Sequence, residues 1–455
     1  MSEILVAGGG LAGLAATAAL SSAGHSVQLF EARPFLGGRA TSYEIDTIST
    51  NAHNAARRGL ESDGEDSPRA VRETIDNCQH ILLRCCVNLL DFYQRLGVAD
   101  DIAFHRDIVF IEPGGRSSTL RAGLLPAPNH FAESFLRLTF LNFKEKLAVA
   151  RAIRAIDREK SRPDLDRITM QQWLIEQRQP PRAIERFWRQ VLVSAINEEL
   201  DRMAAAHGFQ VFRLGFLARK NSYEMGIPSV PLGSLYAAEA WQRIGPAQLH
   251  MRQPVEKIVI ENGTVQHAIV AGQPVRADHY ICALPFERTA AVVPDLPLDL
   301  SKFHHSPITG IHLWFDRPIT NLPNATLLDR TIQWMFNKSE GRYIQLVVSA
   351  SRSLETMPRA DVIALAVSEL AEFFPTAATA KLEKAHVVKE IRATFSAAPN
   401  LEQLRPLSRT AIPNLFLAGD WTRSGWPATM EGAVRSGYLA AEAITAQKFA
   451  LPDIA

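Results

Sequence analysis

The chain has 455 residues, of which 47% are hydrophobic and 21% charged, and its formal net charge is +1. This length can bury a large core in two or three structural units, and the composition is typical of a globular enzyme. The near-neutral charge argues against a broad polyanion-binding surface, so we expect no nucleic acid partner.

The cysteines and the hydropathy of the chain indicate the cellular compartment of the protein. Cys78, Cys85, Cys86 and Cys282 show no CxxC pair and no regular spacing. We interpret them as reduced, mostly buried thiols; Cys85 and Cys86 are either a redox pair or, as we favour, two small apolar fillers. The first strand is predicted to start within three residues, which leaves no room for a signal peptide, and no apolar run is long enough to cross a membrane. We therefore expect a cytoplasmic protein.

The first predicted elements are a strand, a glycine-rich turn and a helix. Residues 4–7 form an apolar run typical of a buried parallel strand. Gly8, Gly10 and Gly13 follow in GxGxxG spacing and open an Ala-rich helix that is predicted to end at Gly24. Glycines in this pattern permit a tight turn and bring a pyrophosphate close to the helix N-terminus. This turn therefore predicts an anion-binding cradle.

A second predicted strand, SVQLFEA, completes the nucleotide-binding pattern. It carries Glu31 about twenty residues after the glycines, where a carboxylate can accept hydrogen bonds from a ribose. GxGxxG alone would be weak evidence. Because strand, turn, helix, second strand and acid follow in this order, the sequence predicts a dinucleotide-binding unit.

The next stretch, ARPFLGGRAT, distinguishes FAD from NAD. Gly37, Gly38 and Arg39 resemble the GGR motif of FAD enzymes of the amine oxidase and phytoene desaturase superfamily. In that group the arginine and the glycine backbone approach the flavin side of the cofactor. The alternative is a surface loop with a solvated arginine, which is less favoured directly after Glu31. The resemblance thus implies FAD.

The middle and the end of the chain return to the cofactor. The stretch LHMRQPVEKIVIENGTVQHAIVAGQPVRADHYICALP alternates apolar and polar residues, with turns predicted at Asn262-Gly263 and near Gly272. Related flavoproteins have a similar meander, which places a valine backbone, here Val255, near the adenine. In the superfamily a late strand ending in Gly-Asp, here NLFLAGD, closes over the pyrophosphate and ribitol, and Asp420 is expected to bind the ribitol-phosphate region.

The helix after this turn, in ATMEGAVRSGYLAAEAI, is predicted to point its N-terminal amides at the flavin, where they stabilise negative charge on the reduced ring. Its small residues Gly432, Ala433 and Gly437 permit close packing against the cofactor domain. The cofactor-binding residues implied by all these motifs are Gly8, Gly10, Leu11, Ala12, Gly13, Glu31, Ala32, Arg33, Gly37, Gly38, Arg39, Ala40, Val255, Gly419, Asp420, Thr429 and Met430.

The resemblance implies an α/β fold in which a Rossmann-like FAD-binding domain of the glutathione reductase type is interleaved with an α+β substrate domain. The FAD domain is predicted at 1–80, 226–287 and 388–450, and the substrate and membrane-contact domain at 81–225 and 288–387. A charged stretch broken by Gly and Pro, Arg57–Glu73, is predicted to be an exposed insertion.

Several further segments narrow the resemblance. TIDNCQHILLRCCVNLLDFYQRLG, RFWRQVLVSAINEELDRMAA, SPITGIHLWFD, IQWMFNKS and KEIRATFSAAPNLEQLRP, with the C-terminal block, resemble the hydroxysqualene dehydroxylases, or squalene-associated FAD-dependent desaturases, of bacterial hopanoid synthesis. Members reduce hydroxysqualene to squalene with reduced FAD as hydride donor. One departure is Cys78, where the family usually has glycine. The closest rival is a carotene-type desaturase, which removes hydride from a polyisoprenoid, and the cofactor motifs cannot separate the two. An amine oxidase is less favoured, and a non-catalytic protein that uses FAD structurally or as a scaffold is a rival of another class.

The implied reaction needs a general acid, because hydroxide is a poor leaving group. Asp76 and His80 are candidates, and Asn197 is a candidate for holding the hydroxyl group. Each has a structural alternative: Asp76 as the cap of a helix predicted over 78–97, and His80 and Asn197 as ordinary satisfied side chains. No metal site is predicted, since the histidines show no HxxH or HExxH spacing.

The implied substrate is a lipid, which predicts contact with a membrane. Two stretches, 124–155 and 207–220, combine Leu and Phe with Lys and Arg on a helical period. They are predicted either to lie in the membrane interface or to be amphipathic helices that face the core. We expect a peripheral position on the inner face of the plasma membrane, with neighbouring squalene-pathway enzymes as further partners.

Overall fold

A computed structural model of the protein describes residues 1–47 and 71–454. Its strands are β1 Glu3–Ala7, β2 Ser26–Glu31, β3 Ser42–Thr47, β4 Val71–Asp76, β5 Leu82–Leu83, β6 Ile102–His105, β7 Ile108–Ile111, β8 Ser117–Leu120, β9 Met225–Pro228, β10 Ala247–Met251, β11 Val255–Glu261, β12 Thr264–Val270, β13 Gln273–Val275, β14 His279–Cys282, β15 His305–Phe315, β16 Asn324–Leu327, β17 Trp334–Ser339, β18 Tyr343–Ser349, β19 Leu382–Phe395 and β20 Leu415–Leu417.

The α-helices are α1 Leu11–Ser22, α2 Val87–Leu96, α3 Ala132–Arg137, α4 Phe143–Arg158, α5 Met170–Glu176, α6 Pro181–Ala183, α7 Gln190–Ile196, α8 Ala205–Gln210, α9 Ala238–Trp241, α10 Phe286–Val292, α11 Arg359–Phe373 and α12 Met430–Thr445. Two π-helical stretches, Ile184–Arg189 and Val211–Leu217, adjoin α7 and α8.

A five-stranded parallel sheet, ordered β10-β2-β1-β14-β20, collects strands from distant parts of the chain. Residues 4–7 of β1 are buried, as expected for the central strand of a sheet covered on both faces. Helix α12 packs on α1, and a methyl group at Gly437 would lie 2.2 Å from the backbone oxygen of Ala12. The small residue therefore permits the close helix contact that the sequence predicts.

The meander predicted in the middle of the chain is confirmed. Strands β11, β12 and β13 form an antiparallel sheet. Asn262 and Gly263 connect the first two strands with φ angles of 51° and 77°, the left-handed conformation that a tight hairpin turn requires. Together with the parallel sheet, this meander confirms the predicted α/β class with a Rossmann-like unit.

A seven-stranded, largely antiparallel sheet forms the second unit, in the order β19-β15-β18-β17-β16-β7-β8. One face packs its aliphatic side chains, such as Ile311, Leu313, Ile344 and Leu346, against α11. Strand β19 crosses position 388, where a domain boundary was predicted, and pairs along its length with β15. The predicted division into domains stays a prediction, but this strand belongs to the antiparallel sheet.

The helix predicted over 78–97 is wrong in its first half. Cys78 has a φ of 70°, which no helix allows, and β5 then pairs with β9, so that α2 begins only at Val87. Asp76 ends β4 and does not cap the helix that was predicted to follow it. Of the predicted insertion, residues 57–70 lie outside the described residues, and 71–73 belong to β4. Among the residues described, no helix combines the length and the apolar character that crossing a membrane requires.

Candidate functional site

The glycine turn after β1 has space for a ligand. Gly8 has a φ of 109°, and a methyl group at Gly13 would lie 2.0 Å from the Gly8 oxygen, so both glycines are required by the turn itself. Gly10 is different. Its φ is −75°, which suits any residue, and a methyl group there would meet no atom within 4 Å among the residues described. A bound group close to the backbone explains this glycine.

The GGR loop folds directly onto this turn. Gly37 donates its N–H to the Gly9 oxygen at 2.8 Å, and a methyl group at Gly38 would lie 3.1 Å from the Gly10 Cα. Glu31, at the end of β2, accepts the N–H of Gly9 at 2.7 Å through Oε2 and that of Arg33 at 2.8 Å through Oε1. The carboxylate is thereby held at the edge of the cradle, where the ribose of a dinucleotide lies in this fold.

The late Gly-Asp turn meets the early motifs through an ion pair. Arg39 donates to Asp420 with an Nη2–Oδ2 distance of 2.8 Å, and it also donates to the backbone oxygen of Ala393 at 2.7 Å. Gly419 donates its N–H to the Ser436 hydroxyl at 2.8 Å, which ties the turn to α12. Two turns nearly four hundred residues apart thus meet at one site, as a cofactor held at both ends requires.

Helix α12 begins beside this turn. Thr429 caps it, because its hydroxyl accepts the Gly432 N–H at 3.0 Å. Val255 is buried at the start of β11. The other predicted cofactor residues lie in or next to these turns: Leu11 and Ala12 in the first turn of α1, Ala32, Arg33 and Ala40 around the GGR loop, and Met430 as the first residue of α12. The residues present fit a dinucleotide cofactor. The fit rests on the open space beside Gly10.

Comparison with known proteins identifies the family. The family model for flavin containing amine oxidoreductases matches residues 11–445. The chain belongs to this family. The cofactor is FAD, in agreement with the sequence prediction, and when bound it supplies or accepts a hydride.

Relatives of the chain within the flavin amine oxidoreductases include desaturases. It is 26% identical to a 15-cis-phytoene desaturase of an Oncidium hybrid cultivar, covering 97% of this chain and 77% of the relative. It is 25% identical to the 15-cis-phytoene desaturase of Synechococcus elongatus, covering 98% and 96% of the two chains. A solved oxidoreductase from Methanosarcina mazei shares the fold, with a TM-score of 0.67, 18% identity and coverage of 98% and 100%.

An apolar cavity of about 170 Å³ lies at the N-terminus of α12. Its wall contains Thr429, Met430 and Glu431 from the cofactor side and Val191 and Ala195 from α7. Most of the remaining lining is apolar: Ile81, Leu82, Leu83, Leu89, Ile108, Phe110, Ile196, Val211, Leu214, Phe216, Met225, Trp334, Trp426 and Pro427. A cavity of this lining and volume suits a segment of a hydrocarbon chain.

Asp76 is an ionised, tightly bound carboxylate. Its Oδ1 accepts hydrogen bonds from the Ser42 hydroxyl at 2.6 Å and the Leu232 N–H at 2.9 Å, and its Oδ2 lies 3.0 Å from the Lys338 Nζ. Burial raises the pKa of Asp76, but Lys338 and the hydrogen bonds lower it by more, so the net pKa is below its usual value. This carboxylate is suited to orient Lys338, and its role as a general acid stays a prediction.

The side chains of His80 and Asn197 differ in how many hydrogen bonds they make within the protein. His80 Nδ1 lies 3.1 Å from the Cys78 oxygen, which assigns the proton to Nδ1, and burial lowers the pKa of this imidazole. Asn197 donates through Nδ2 to the Ser306 oxygen at 3.0 Å and accepts the Ala350 N–H at 2.7 Å. These bonds fix a left-handed residue at the end of α7, so the contacts of Asn197 are structural; its role toward a substrate stays a prediction.

Glu431 is a residue that the sequence prediction missed. It is fully buried, and its carboxylate accepts the Leu89 N–H at 2.7 Å, the Asn88 N–H at 3.2 Å and the Asn88 Nδ2 at 2.7 Å. It therefore supplies the negative charge at the N-terminus of α2 from the first turn of α12. Burial raises the pKa of Glu431 to about 7, although these donors oppose the shift. The signal in the sequence is a lone acid in an otherwise small-residue helix start.

We expect Glu431→Ala to lower the free energy of unfolding by about 2–4 kcal/mol, since it leaves the buried donors of Asn88 and Leu89 unpaired. Glu431→Gln keeps an acceptor and should cost less than half as much. Urea unfolding of the three proteins with FAD bound checks this order. Equal midpoints for wild type and Glu431→Ala would contradict the structural role.

Proposed function

We propose that this FAD-dependent oxidoreductase reduces hydroxysqualene to squalene. The observation that carries the proposal is the apolar cavity that begins at the cofactor end of α12 and is lined by hydrocarbon side chains. A polyisoprenoid fits such a lining because its burial removes apolar surface from water. The segments of the sequence that resemble hydroxysqualene dehydroxylases favour the alcohol as the member of this substrate class.

The balance of the proposed reaction defines what the protein must provide. The C–O bond of the alcohol breaks, one proton joins the leaving oxygen to give water, and one hydride joins the allylic carbon. Bound FAD in its reduced form would supply the hydride, and the chain supplies a proton donor, a dry cavity and a fixed orientation of the alcohol. Asp76 and His80 are the proposed acid–base groups: His80 as the proton donor, and Asp76, which is ionised and bound to Lys338, only after it takes up a proton. Asn197 is a proposed hydroxyl-binding residue.

A second candidate is desaturation of a polyisoprenoid, and the relatives favour it specifically. Two of the proteins that match over nearly the whole chain are named 15-cis-phytoene desaturase. This reaction would use the same cavity and cofactor in the opposite redox direction, because hydride would leave the hydrocarbon. The direction of electron flow therefore separates the two candidates.

The experiment that tests the proposal follows the lipid. The purified protein, with its flavin reduced by dithionite without oxygen, is mixed with hydroxysqualene in detergent, and the extract is analysed by mass spectrometry. Squalene formed in step with flavin reoxidation supports the proposal. Untouched alcohol, together with a new double bond in phytoene mixed with the oxidised protein, would establish the desaturase instead.

His80 makes a prediction about pH. If it donates the proton, only its protonated form is active, and burial has placed its pKa below the ordinary value of about 6.5. The rate of squalene formation should then rise as pH falls through this lowered pKa and should be small at neutral pH. His80→Gln should flatten this limb while FAD content stays unchanged. An unaltered pH profile in His80→Gln would assign the proton to another group.

The predicted membrane contact also has a physical basis. Leu124, Leu136 and Phe143 expose 96%, 60% and 74% of their surface. Lys144 and Lys146 follow Phe143 in the chain, and Lys146 donates to the Leu136 backbone oxygen. Exposed apolar side chains rimmed by cations are typical of a surface that enters an anionic membrane interface. We propose that residues 124–146 contact the membrane.

We expect the double variant Leu124→Ser/Phe143→Ser to bind vesicles of anionic phospholipid at least about tenfold more weakly, because each buried side chain contributes about 1.5–3 kcal/mol. Leu407→Ser is the matched control, since Leu407 is 58% exposed but lies outside this segment. Co-sedimentation with vesicles measures both. Equal losses in the two variants, or no loss in either, would contradict the assignment.

A further inference from the structure

The face of the seven-stranded sheet turned away from α11 carries a row of polar side chains. His312 pairs with Gln345, Gln345 with Phe336, and Phe336 with Asn324 across neighbouring strands. Residues directly opposite each other in a sheet point to the same side. Thr326 lies two residues after Asn324 and so shares this side. We call Asn324, Thr326, Gln345 and His312 the polar row.

Every member of the polar row is buried and keeps polar atoms without a partner. Asn324 and Thr326 are 1% exposed, and Gln345 and His312 are fully buried. Both carboxamide atoms of Asn324 and of Gln345, the Thr326 hydroxyl and the His312 Nε2 have no hydrogen-bond partner within residues 1–47 and 71–454. Each unpaired buried group costs about 1–3 kcal/mol, so a concentration of them on one sheet face demands an explanation.

A neighbouring glutamine shows that this sheet can satisfy the hydrogen bonds of a buried carboxamide. Gln333 is also buried, just before β17, yet its Nε2 donates to the Ser349 oxygen at 3.2 Å and its Oε1 accepts the Ser349 N–H at 2.9 Å. The fold thus pairs one buried glutamine fully and leaves Gln345, on the adjoining strand, unpaired.

The polar row meets the wall of the apolar cavity at Thr326. Thr326 and its cross-strand neighbour Trp334 both line the cavity. At the other end, Lys338 lies two residues beyond Phe336, at a β-bulge of β17, and binds Asp76 at 3.0 Å. The row therefore extends from the hydrocarbon-lined cavity to the segment that contains Asp76 and His80, where polar contact with a substrate would be needed.

We propose that Asn324, Thr326 and Gln345 form the subsite that binds the hydroxyl group of an isoprenoid alcohol. The inference rests on the proposed function and specifies how its substrate is selected. The carboxamide N–H groups donate to the alcohol oxygen, and a carboxamide oxygen or the Thr326 hydroxyl accepts the alcohol proton. A hydrocarbon of the same shape leaves all these groups unpaired, so the row favours the alcohol over its hydrocarbon and retains the water that the reaction releases.

The test compares the binding of hydroxysqualene and squalene to the oxidised, FAD-loaded protein, so that no turnover is required. Gln345→Met and Asn324→Leu replace the polar groups by apolar side chains of similar shape. Gln333→Met is the matched control. Affinities come from the change in the flavin spectrum on titration, and melting temperatures are recorded without ligand.

We expect wild type to prefer the alcohol by about tenfold or more and the two row variants to lose most of this preference, as for a lost hydrogen bond to a buried group. Their melting temperatures should be equal to or above that of wild type, because unpaired polar atoms are removed. Gln333→Met should melt lower and keep the preference.

Two results would overturn the subsite: a wild type without preference for the alcohol, or row variants that melt lower like Gln333→Met and keep the preference. The latter would mean that the row is structural. A protein that shows the expected preferences but forms no squalene keeps the subsite and loses the proposed reaction, so the two failures are distinguishable.

Discussion

Gly10→Val should yield a folded protein without FAD. The backbone of Gly10 tolerates a side chain, and no described atom outside its chain neighbours lies within 4 Å of the Cβ that a substitution would add, so the apoprotein accommodates valine. The same side chain would occupy the space in which the pyrophosphate approaches the turn. We expect the affinity for FAD to fall about 100-fold or more, which corresponds to a loss of about 3 kcal/mol. Flavin absorbance after purification and reconstitution with added FAD measures the effect.

Gly123→Val is the control for this variant. Gly123 lies in a surface loop, and a methyl group there makes contacts of 3.4 Å or longer. It should bind FAD like wild type. A Gly10→Val protein with a full complement of FAD would show that the glycine turn does not face the cofactor, and an unfolded one would show that Gly10 serves the fold.

Ala195→Trp should abolish turnover while the flavin stays bound. Ala195 lies on α7 in the wall of the cavity, away from the glycine turn and the Gly-Asp turn. An indole ring would take up most of a cavity of about 170 Å³ and displace a hydrocarbon chain. We expect the rate with any polyisoprenoid to fall by about 100-fold or more, equivalent to roughly 3 kcal/mol of lost transition-state binding.

Ala195→Ser is the matched control, because it changes polarity without filling the cavity; it should keep more than about a tenth of the activity. Flavin content and melting temperature verify that both variants are folded. Wild-type turnover in Ala195→Trp would place the substrate outside this cavity and would contradict the proposal that a hydrocarbon reaches the flavin through it.

The cofactor half of the protein could be predicted because its signals are local. Gly8, Gly13 and Glu31 lie within a single strand-turn-helix-strand unit, where spacing alone determines geometry. The Arg39–Asp420 pair joins residues 381 positions apart. Only the resemblance to a family placed both at one cofactor, since no periodicity in the sequence connects them. The same resemblance implied the interleaved arrangement that the parallel sheet confirms.

The unit built on the seven-stranded sheet was harder to predict, because the burial of its side chains depends on which other elements pack over them. GIHLWF and YIQLVVS read as strands in which His312 and Gln345 alternate with apolar residues, a pattern typical of a solvent-facing side. In the structure both are fully buried. The helix predicted from Cys78 failed for a related reason: residues 82–83 pair with β9, and this tertiary contact overrides local helix propensity.

The hydrogen-bond partners of Glu431 also could not be predicted from the sequence. Its partners Asn88 and Leu89 lie more than three hundred residues earlier in the chain. A sequence pattern indicates that an acid near a helix N-terminus stabilises its own helix. It cannot indicate that the carboxylate also serves the N-terminus of a second helix, because that depends on how α2 and α12 meet.

A single-turnover experiment in heavy water shows whether electrons flow from the flavin to an isoprenoid alcohol. The protein is reduced anaerobically in heavy water, so that its exchangeable hydrogens become deuterium, and unlabelled hydroxysqualene is added. We expect squalene with one deuterium at the carbon that lost the hydroxyl group, in an amount equal to the flavin reoxidised. Unchanged alcohol beside flavin that stays reduced would contradict it.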